Sequence, residues 1–306
     1  MKRLPIMIIG VCLLAAACGT PSSGSLGPAP TTTASPPGSA SPHGGGPAST
    51  AASPGGQRPA ATVTPGRGPA RGIGLQAWFS RNGKLFVTER TVPATATVGR
   101  AALDGLLTGP SAAEYAAGLR SQIPAVTTLR GVRISAGTAT VDLSSSFGSA
   151  ASPPAMPLRI AQVVYTLTQF PAVTGVRFEV NGQGVTVIGG VPVQGPQTRA
   201  MYSGYLPAIT VQSPVIGEQV TSPVTISGTA DVFEAVVSAR ILDPAGTEIA
   251  RTFTTASCGT GCRGDYLVTV SYPVPRTEPG TIEVFESSAR NGLPVNVQLI
   301  PVTLAP

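Results

Sequence analysis

Tight-turn signals between alternating apolar runs place the strongest constraint on the fold of this chain. The first is Asn82-Gly83, which separates two runs with the period-two alternation of strands. Ala136-Gly137 and Asn181-Gly182 are flanked in the same way. Both central residues of such a turn adopt positive φ, which Gly and Asn tolerate. We therefore predict three β-hairpins within residues 73–195.

Helical patterns separate these hairpins. Residues 98–110 place apolar side chains on one face and end at Gly109-Pro110, and Ser111 with Glu114 then forms a capping-box pattern for a short helix. A longer helix is predicted to begin near Pro157 and to be largely buried against a sheet, because most of its residues are apolar. Its polar stripe consists of Arg159, Gln162, Thr166 and Gln169. The mixture of hairpins and helices predicts an α+β domain.

Residues 208–306 show strand patterns only. About seven short runs recur at regular spacing, separated by turn sequences such as residues 243–246, and this arrangement is typical of a β-sandwich. Residues 195–208 have the composition of a linker. Each flanking region has its own apolar alternation, so we expect the two domains to fold as separate units.

Cys258 and Cys262 lie in the sequence SCGTGCRG, between two predicted strands. For an exported protein, a disulfide is the expected state of this pair, and free thiols are the alternative. A metal site would need two further ligands, and the second domain contains no histidine.

The N-terminus has the features of an export signal. Lys2 and Arg3 precede an apolar run over residues 4–17, which is short for a membrane span and typical of a signal peptide. The run ends in LLAAAC and resembles a bacterial lipobox, although Leu14 stands four residues before Cys18 where three is usual. The resemblance implies that Cys18 carries acyl chains such as palmitate and anchors the protein at the extracytoplasmic face of the plasma membrane. The alternative is an ordinary signal peptide cut after Ala17.

Residues 18–72 comprise the cysteine that we predict to be lipidated and a segment rich in Pro, Gly, Ser, Thr and Ala. Such a segment buries too little apolar surface to offset its ordering entropy, so we predict a disordered tether. As a flexible coil it would reach about 40 Å from the membrane.

Charge and composition narrow the possible functions. The net charge is +6, but seven basic residues precede the first acidic residue, Glu89, so the remainder carries −1. The folded region therefore lacks the basic surface that nucleic-acid binding requires. The single histidine, His43, lies in the tether, which excludes Ser-His-Asp and Cys-His catalysis. The carboxylates are scattered, and we expect no catalytic residues, cofactor or metal.

Several residues are candidates for a binding surface. In the second domain they lie partly near turns, and their alternative role is a core phenylalanine with solvated loop charges. They are Phe233, Glu234, Glu286, Arg290 and Asn291. Trp78 has the opposite strand parity to its apolar neighbours, so it is either an exposed contact residue on the outer face of the first hairpin or covered by a helix.

Three segments resemble the GerM (GerMN) domain of bacterial sporulation and spore-germination proteins. They are LLTGPSAAEYAAGLRSQIP, ISAGTATVDLSSSF and RIAQVVYTLTQFPAVTGVRFEVNG, and the resemblance covers residues 75–190. In residues 209–304, SGTADVFEAVV, CRGDYLVTVSYPV and VFESSARNG resemble the immunoglobulin-like domain that often follows a GerM domain.

The combined resemblance implies a membrane-anchored, non-enzymatic binding or scaffold lipoprotein of the cell envelope. Its partner would be an envelope protein or a cell-wall polymer. The alternative is a cell-wall-acting enzyme or an accessory that presents the substrate to one.

Overall fold

The computed structural model describes residues 72–149 and 154–306. The predicted signal peptide, the lipidated Cys18 and all of the tether except Gly72 lie outside the described residues. The described residues form an α+β domain followed by a strand-rich domain, as the sequence predicts.

The first domain opens with a long hairpin. Strands β1 (Gly72–Arg81) and β2 (Lys84–Pro93) pair in antiparallel register along their whole length. Asn82 and Gly83 form the turn with φ of 52° and 73°, so the predicted hairpin is confirmed. Helices α1 (Val98–Thr108) and α2 (Ala112–Ala116) follow.

A four-stranded sheet forms the rest of this domain, in the order β3-β4-β5-β6. Strands β4 and β5 are parallel, because the helix between them, α3, returns the chain to the same end of the sheet. The bounds are β3 (Leu129–Ser135), β4 (Thr138–Leu143), α3 (Ala155–Leu167), β5 (Gly175–Val180) and β6 (Gln183–Gly184). A small separate hairpin joins β7 (Val187–Ile188) to β8 (Val191–Pro192). The other two predicted hairpins are therefore confirmed as β3–β4 and β5–β6.

The polar stripe of α3 faces the open edge of β1. The amide Nε2 of Gln162 donates to the carbonyl of Trp78 at 2.8 Å, and the Trp78 N–H donates to Oγ1 of Thr166 at 3.2 Å. Just beyond the helix, Gln169 exchanges two hydrogen bonds with the backbone of Gln76, at 2.7 and 2.8 Å. Side chains therefore satisfy backbone groups that β1 does not share with β2.

The second domain is a sandwich of a three-stranded sheet, β14-β11-β9, and a five-stranded sheet, β10-β16-β15-β12-β13. Its strands are β9 (Ile209–Ser213), β10 (Gln219–Thr221), β11 (Val224–Ala230), β12 (Val236–Leu242), β13 (Glu248–Thr255), β14 (Gly264–Val270), β15 (Glu278–Ser287) and β16 (Pro294–Ala305). Inward-facing residues of both sheets form its core, as in immunoglobulin-like sandwiches.

The two domains contact each other directly. Arg81, in the β1–β2 hairpin, donates to the carbonyl of Leu299 at 3.0 Å and to Oε1 of Gln298 at 2.8 Å, both on β16. The linker includes a short 3-10 helix, Arg199–Tyr205, and the Tyr165 hydroxyl of α3 donates to the Arg199 carbonyl at 3.1 Å. Buried apolar residues of both domains belong to one continuous cluster.

Candidate functional site

Five of the predicted binding residues lie at one end of the second domain, where Glu286 on β15 links the Phe233 loop to β16. Its Oε1 accepts the backbone N–H of Phe233 at 3.0 Å, and its Oε2 accepts Nδ2 of Asn296 at 2.6 Å. The neighbouring Glu234 N–H donates to Oγ1 of Thr260 at 3.0 Å. The two bonds of Glu286 link the Phe233 loop to the start of β16, and the bond to Thr260 links it to the loop between β13 and β14.

The other two residues of this set lie in the turn between β15 and β16. Arg290 and Asn291 are both exposed, and Oδ1 of Asn291 accepts the backbone N–H of Leu293 at 3.1 Å, which orders the turn. We call the five residues together the loop end: Phe233, Glu234, Glu286, Arg290 and Asn291.

An apolar surface continues from the loop end along β16. Phe233 is 51% exposed and Leu293 is 60% exposed. Val295, Val297 and Leu299 follow on β16 and are exposed as well. We call these five residues the β16 surface.

One edge of β16 pairs with β15, whereas β10 pairs with its other edge only from Thr303 to Ala305. The sequence alternation predicts this strand but does not show which of its residues are left uncovered. Exposed apolar residues gathered in this way mark interaction sites.

Trp78 is not part of an exposed surface. It is only 2% exposed, and its ring packs against Tyr165 of α3 with centroids 4.9 Å apart. The prediction of an exposed contact residue is therefore wrong, and the alternative, covering by a helix, is correct. Consecutive residues of both strands are buried, so both faces of the hairpin are covered. The alternation of side chains along the strand therefore could not show whether Trp78 faces solvent.

Cys258 and Cys262 form a disulfide in the loop between β13 and β14, with Cα atoms 5.7 Å apart, which confirms the predicted pairing. Within residues 72–149 and 154–306, no three His, Cys, Asp or Glu side chains cluster so that they could hold a metal ion. The same ranges contain no helix with the length and apolar character to cross a membrane.

A cleft that the sequence did not predict opens where the two domains meet. Its volume is about 250 Å³, and its wall includes Trp78, Tyr165, Arg199, Leu206, Thr229 and Arg263. Its two cations come from different segments, the linker and the residue just before β14, so no local sequence pattern could have paired them.

Arg199 is held by the C-terminal end of α3. Its Nε donates to Oγ1 of Thr168 at 2.7 Å and its Nη2 donates to the carbonyl of Tyr165 at 2.9 Å. The guanidinium lies 4.7 Å from the centroid of the Tyr165 ring and 5.5 Å from that of Trp78. Burial lowers the pKa of Arg199, because its charge loses solvation in this position.

Arg263 is held by the start of the second domain. Its Nη2 donates to the carbonyl of Pro207 at 2.6 Å and its Nη1 donates to the carbonyl of Thr229 at 3.2 Å. Burial lowers the pKa of Arg263 as well, and the charge of Asp231 opposes that effect without reaching salt-bridge distance.

Two family models match the chain. A model described as sporulation and spore germination matches residues 78–186, and one described as the immunoglobulin-like domain of bacterial spore germination matches residues 208–293. The chain therefore carries a GerM-type sporulation and germination domain followed by the immunoglobulin-like domain of spore-germination proteins.

Similar solved structures include proteins from two bacteria. One is a protein named as a lipoprotein from Clostridium perfringens, with 23% identity over 42% of this chain and 89% of that one, at a TM-score of 0.32. The tandem GerMN domains of the sporulation protein GerM from Bacillus subtilis match with 16% identity over 76% of this chain and 61% of that one, at a TM-score of 0.38. The first of those domains alone matches with 23% identity over 42% of this chain and 98% of its own length, at a TM-score of 0.34. No curated protein matches the sequence.

Proposed function

We propose that this chain is a membrane-anchored, non-enzymatic binding protein of the cell envelope, whose two domains dock an envelope protein or a wall component. The β16 surface is the observation that carries the proposal. An exposed aromatic residue near a row of exposed aliphatic residues is a composition found in protein contact surfaces.

The four polar residues of the loop end, Glu234, Glu286, Arg290 and Asn291, supply the polar rim of this surface. The hydrogen bond to Glu286 already fixes the backbone of Phe233. Binding of a partner would therefore lose little conformational entropy at this residue. The charged side chains of Glu234 and Arg290 lie beside Phe233 and are exposed. Exposed charges at the rim of an interface contribute more to the choice of partner than to the affinity for it. A protein segment that presents apolar side chains and a complementary charge fits this arrangement.

The anchoring part of the proposal depends on the N-terminal sequence. Cys18 after three alanines and the segment that follows would hold the two domains at a distance from the membrane. The families that match the two domains are named for sporulation and germination, which supports a role in the envelope.

The non-enzymatic part depends on which reactive groups the chain contains. Its one histidine lies outside the described residues, and two neighbouring carboxylates of the five-stranded sheet, Glu248 and Glu283, pair with arginines in salt bridges. A glycosidase that cleaves the wall polymer would need two free carboxyl groups facing each other across a cleft.

Photo-crosslinking in the native envelope tests the proposal, with a photoreactive residue placed at Arg290. We expect one discrete protein or glycan adduct that is lost in the Phe233→Ser/Leu293→Ser double variant. Leu267→Ser is the matched control, because Leu267 is similarly exposed but lies on the opposite sheet.

Equal adduct formation in the double variant would refute the β16 surface as the docking site. A dye-release assay on purified peptidoglycan checks the enzymatic alternative. Turnover that disappears when one carboxylate is changed would overturn the proposal that the chain is non-enzymatic.

A further inference from the structure

We propose that the cleft between the two domains binds the free C-terminal carboxylate of a short peptide, with Arg199 and Arg263 as its cationic ligands. The site is separate from the β16 surface, so either proposal can fail without the other.

Neither arginine has a salt-bridge partner. The first acidic residue of the chain is Glu89, and residues 150–153 contain none, so every acidic side chain lies in the described ranges. None of them forms a salt bridge with Arg199 or Arg263, although eight such bridges join other pairs in the same ranges.

The nearest acidic influence is Asp231, and it is engaged elsewhere. Its Oδ1 accepts the backbone N–H of Gly261 at 2.8 Å, and its charge acts on Arg263 only from beyond salt-bridge distance. Two half-buried positive charges therefore line one small cleft without a paired anion, so the cleft presents positive charge to an anionic ligand.

Existing contacts hold both guanidinium groups in place before any ligand arrives. Arg199 is fixed by Thr168 and the Tyr165 carbonyl, and Arg263 by the carbonyls of Pro207 and Thr229. Among the described residues, Nη1 of Arg199 and Nε of Arg263 make no hydrogen bond. A carboxylate oxygen can accept a charge-assisted hydrogen bond from each of these two N–H groups.

The size and walls of the cleft select the rest of the ligand. A volume of about 250 Å³ lies below the range of about 300–1,000 Å³ for drug-sized ligands, so the cleft suits a terminal group. Leu206 and Ala200 offer apolar contacts, while Ser203 and Gln212 can bond a peptide group. A carboxylate with a short apolar stem would place its oxygens near the arginines and its stem against Leu206 and Ala200. Inorganic phosphate has no apolar part, so some of its oxygens would face these apolar residues.

Trp78 provides a built-in reporter, because it is the only tryptophan in the chain and lines the cleft beside Arg199. We would titrate the full chain with N-acetyl-Ala-Ala and follow tryptophan fluorescence. We expect a saturable change, and an apparent Kd at least tenfold weaker for the C-terminal amide of the same peptide. This comparison uses the unaltered chain and does not depend on any variant folding.

Variants then test the two cations. Arg199→Gln and Arg263→Gln should each weaken binding tenfold or more, and Arg199→Lys should weaken it less because the charge remains. Arg276→Gln is the control, since it removes the same charge from a side chain that is 82% exposed and outside the cleft. The proposal is overturned by the absence of a saturable change, by equal binding of the amide, by tighter binding of phosphate, or by an equal loss in Arg276→Gln.

Discussion

At the scale of single residues, Gln162 links α3 to β1. It is buried, its Nε2 donates to the Trp78 carbonyl, and its Oε1 accepts the Gln122 N–H, both at 2.8 Å. Gln162→Leu would leave two backbone groups without partners, so we expect a loss of about 1–3 kcal/mol in the free energy of unfolding for each group. Urea unfolding measures this loss. Gln183→Leu is the control, because Gln183 is exposed on β6, and it should change the free energy of unfolding by less than about 0.5 kcal/mol. Equal effects of the two variants would show that the hydrogen bonds of Gln162 do not stabilise the fold.

Glu114 makes stability depend on pH. Burial of its carboxylate raises the pKa, but hydrogen bonds from Arg90, Thr88 and the Ser111 N–H outweigh burial and hold the pKa below its ordinary value of 4.5. The stabilisation is therefore fully present above pH 4.5 and is lost as the pH falls through the folded-state pKa.

We expect Glu114→Gln to lower the free energy of unfolding by about 3 kcal/mol at pH 7, because it leaves Arg90 without its buried partner. The difference from the unaltered chain should shrink as the pH falls below 4.5. Denaturant titrations across this pH range measure it, and a difference that stays constant would show that the carboxylate charge is not the cause.

At the scale of elements, the disulfide closes the loop between β13 and β14. The two cysteines are four positions apart, so their bond spans few residues and should contribute only about 2 kcal/mol. We expect reduction to lower the melting temperature of the second domain by a few degrees and to leave the first domain unchanged. Calorimetry with and without reductant measures the shift, and the Cys258→Ser/Cys262→Ser variant should show no response. Equal shifts in both domains would contradict the prediction that they unfold as separate units.

At the scale of the whole molecule, the proposed lipid anchor would decide where the two domains act. Cys18→Ala removes the cysteine that stands directly after the three alanines, so we expect the protein to leave the membrane fraction or to remain unprocessed. Fractionation and immunoblotting measure this, with Cys258→Ser as a control that should stay at the membrane. Normal processing and membrane retention of Cys18→Ala would refute lipidation.

The sequence by itself determined the features that depend on local chemistry. Asn82-Gly83 predicts a turn because both residues tolerate positive φ, and Ser111 with Glu114 predicts a helix start because the two side chains satisfy nearby backbone N–H groups. The order of the two domains and the Cys258–Cys262 pair were also predicted correctly.

Only the tertiary structure decided what covers each face. Alternation shows which residues share a side of a strand, but burial depends on elements distant in the chain, so the sequence left Trp78 open between an exposed and a covered position. For the same reason, the polar stripe of α3 gave no sign that it bonds the edge of β1. The cleft of Arg199 and Arg263 exists only because the linker brings the two domains together, and no local pattern encodes that contact.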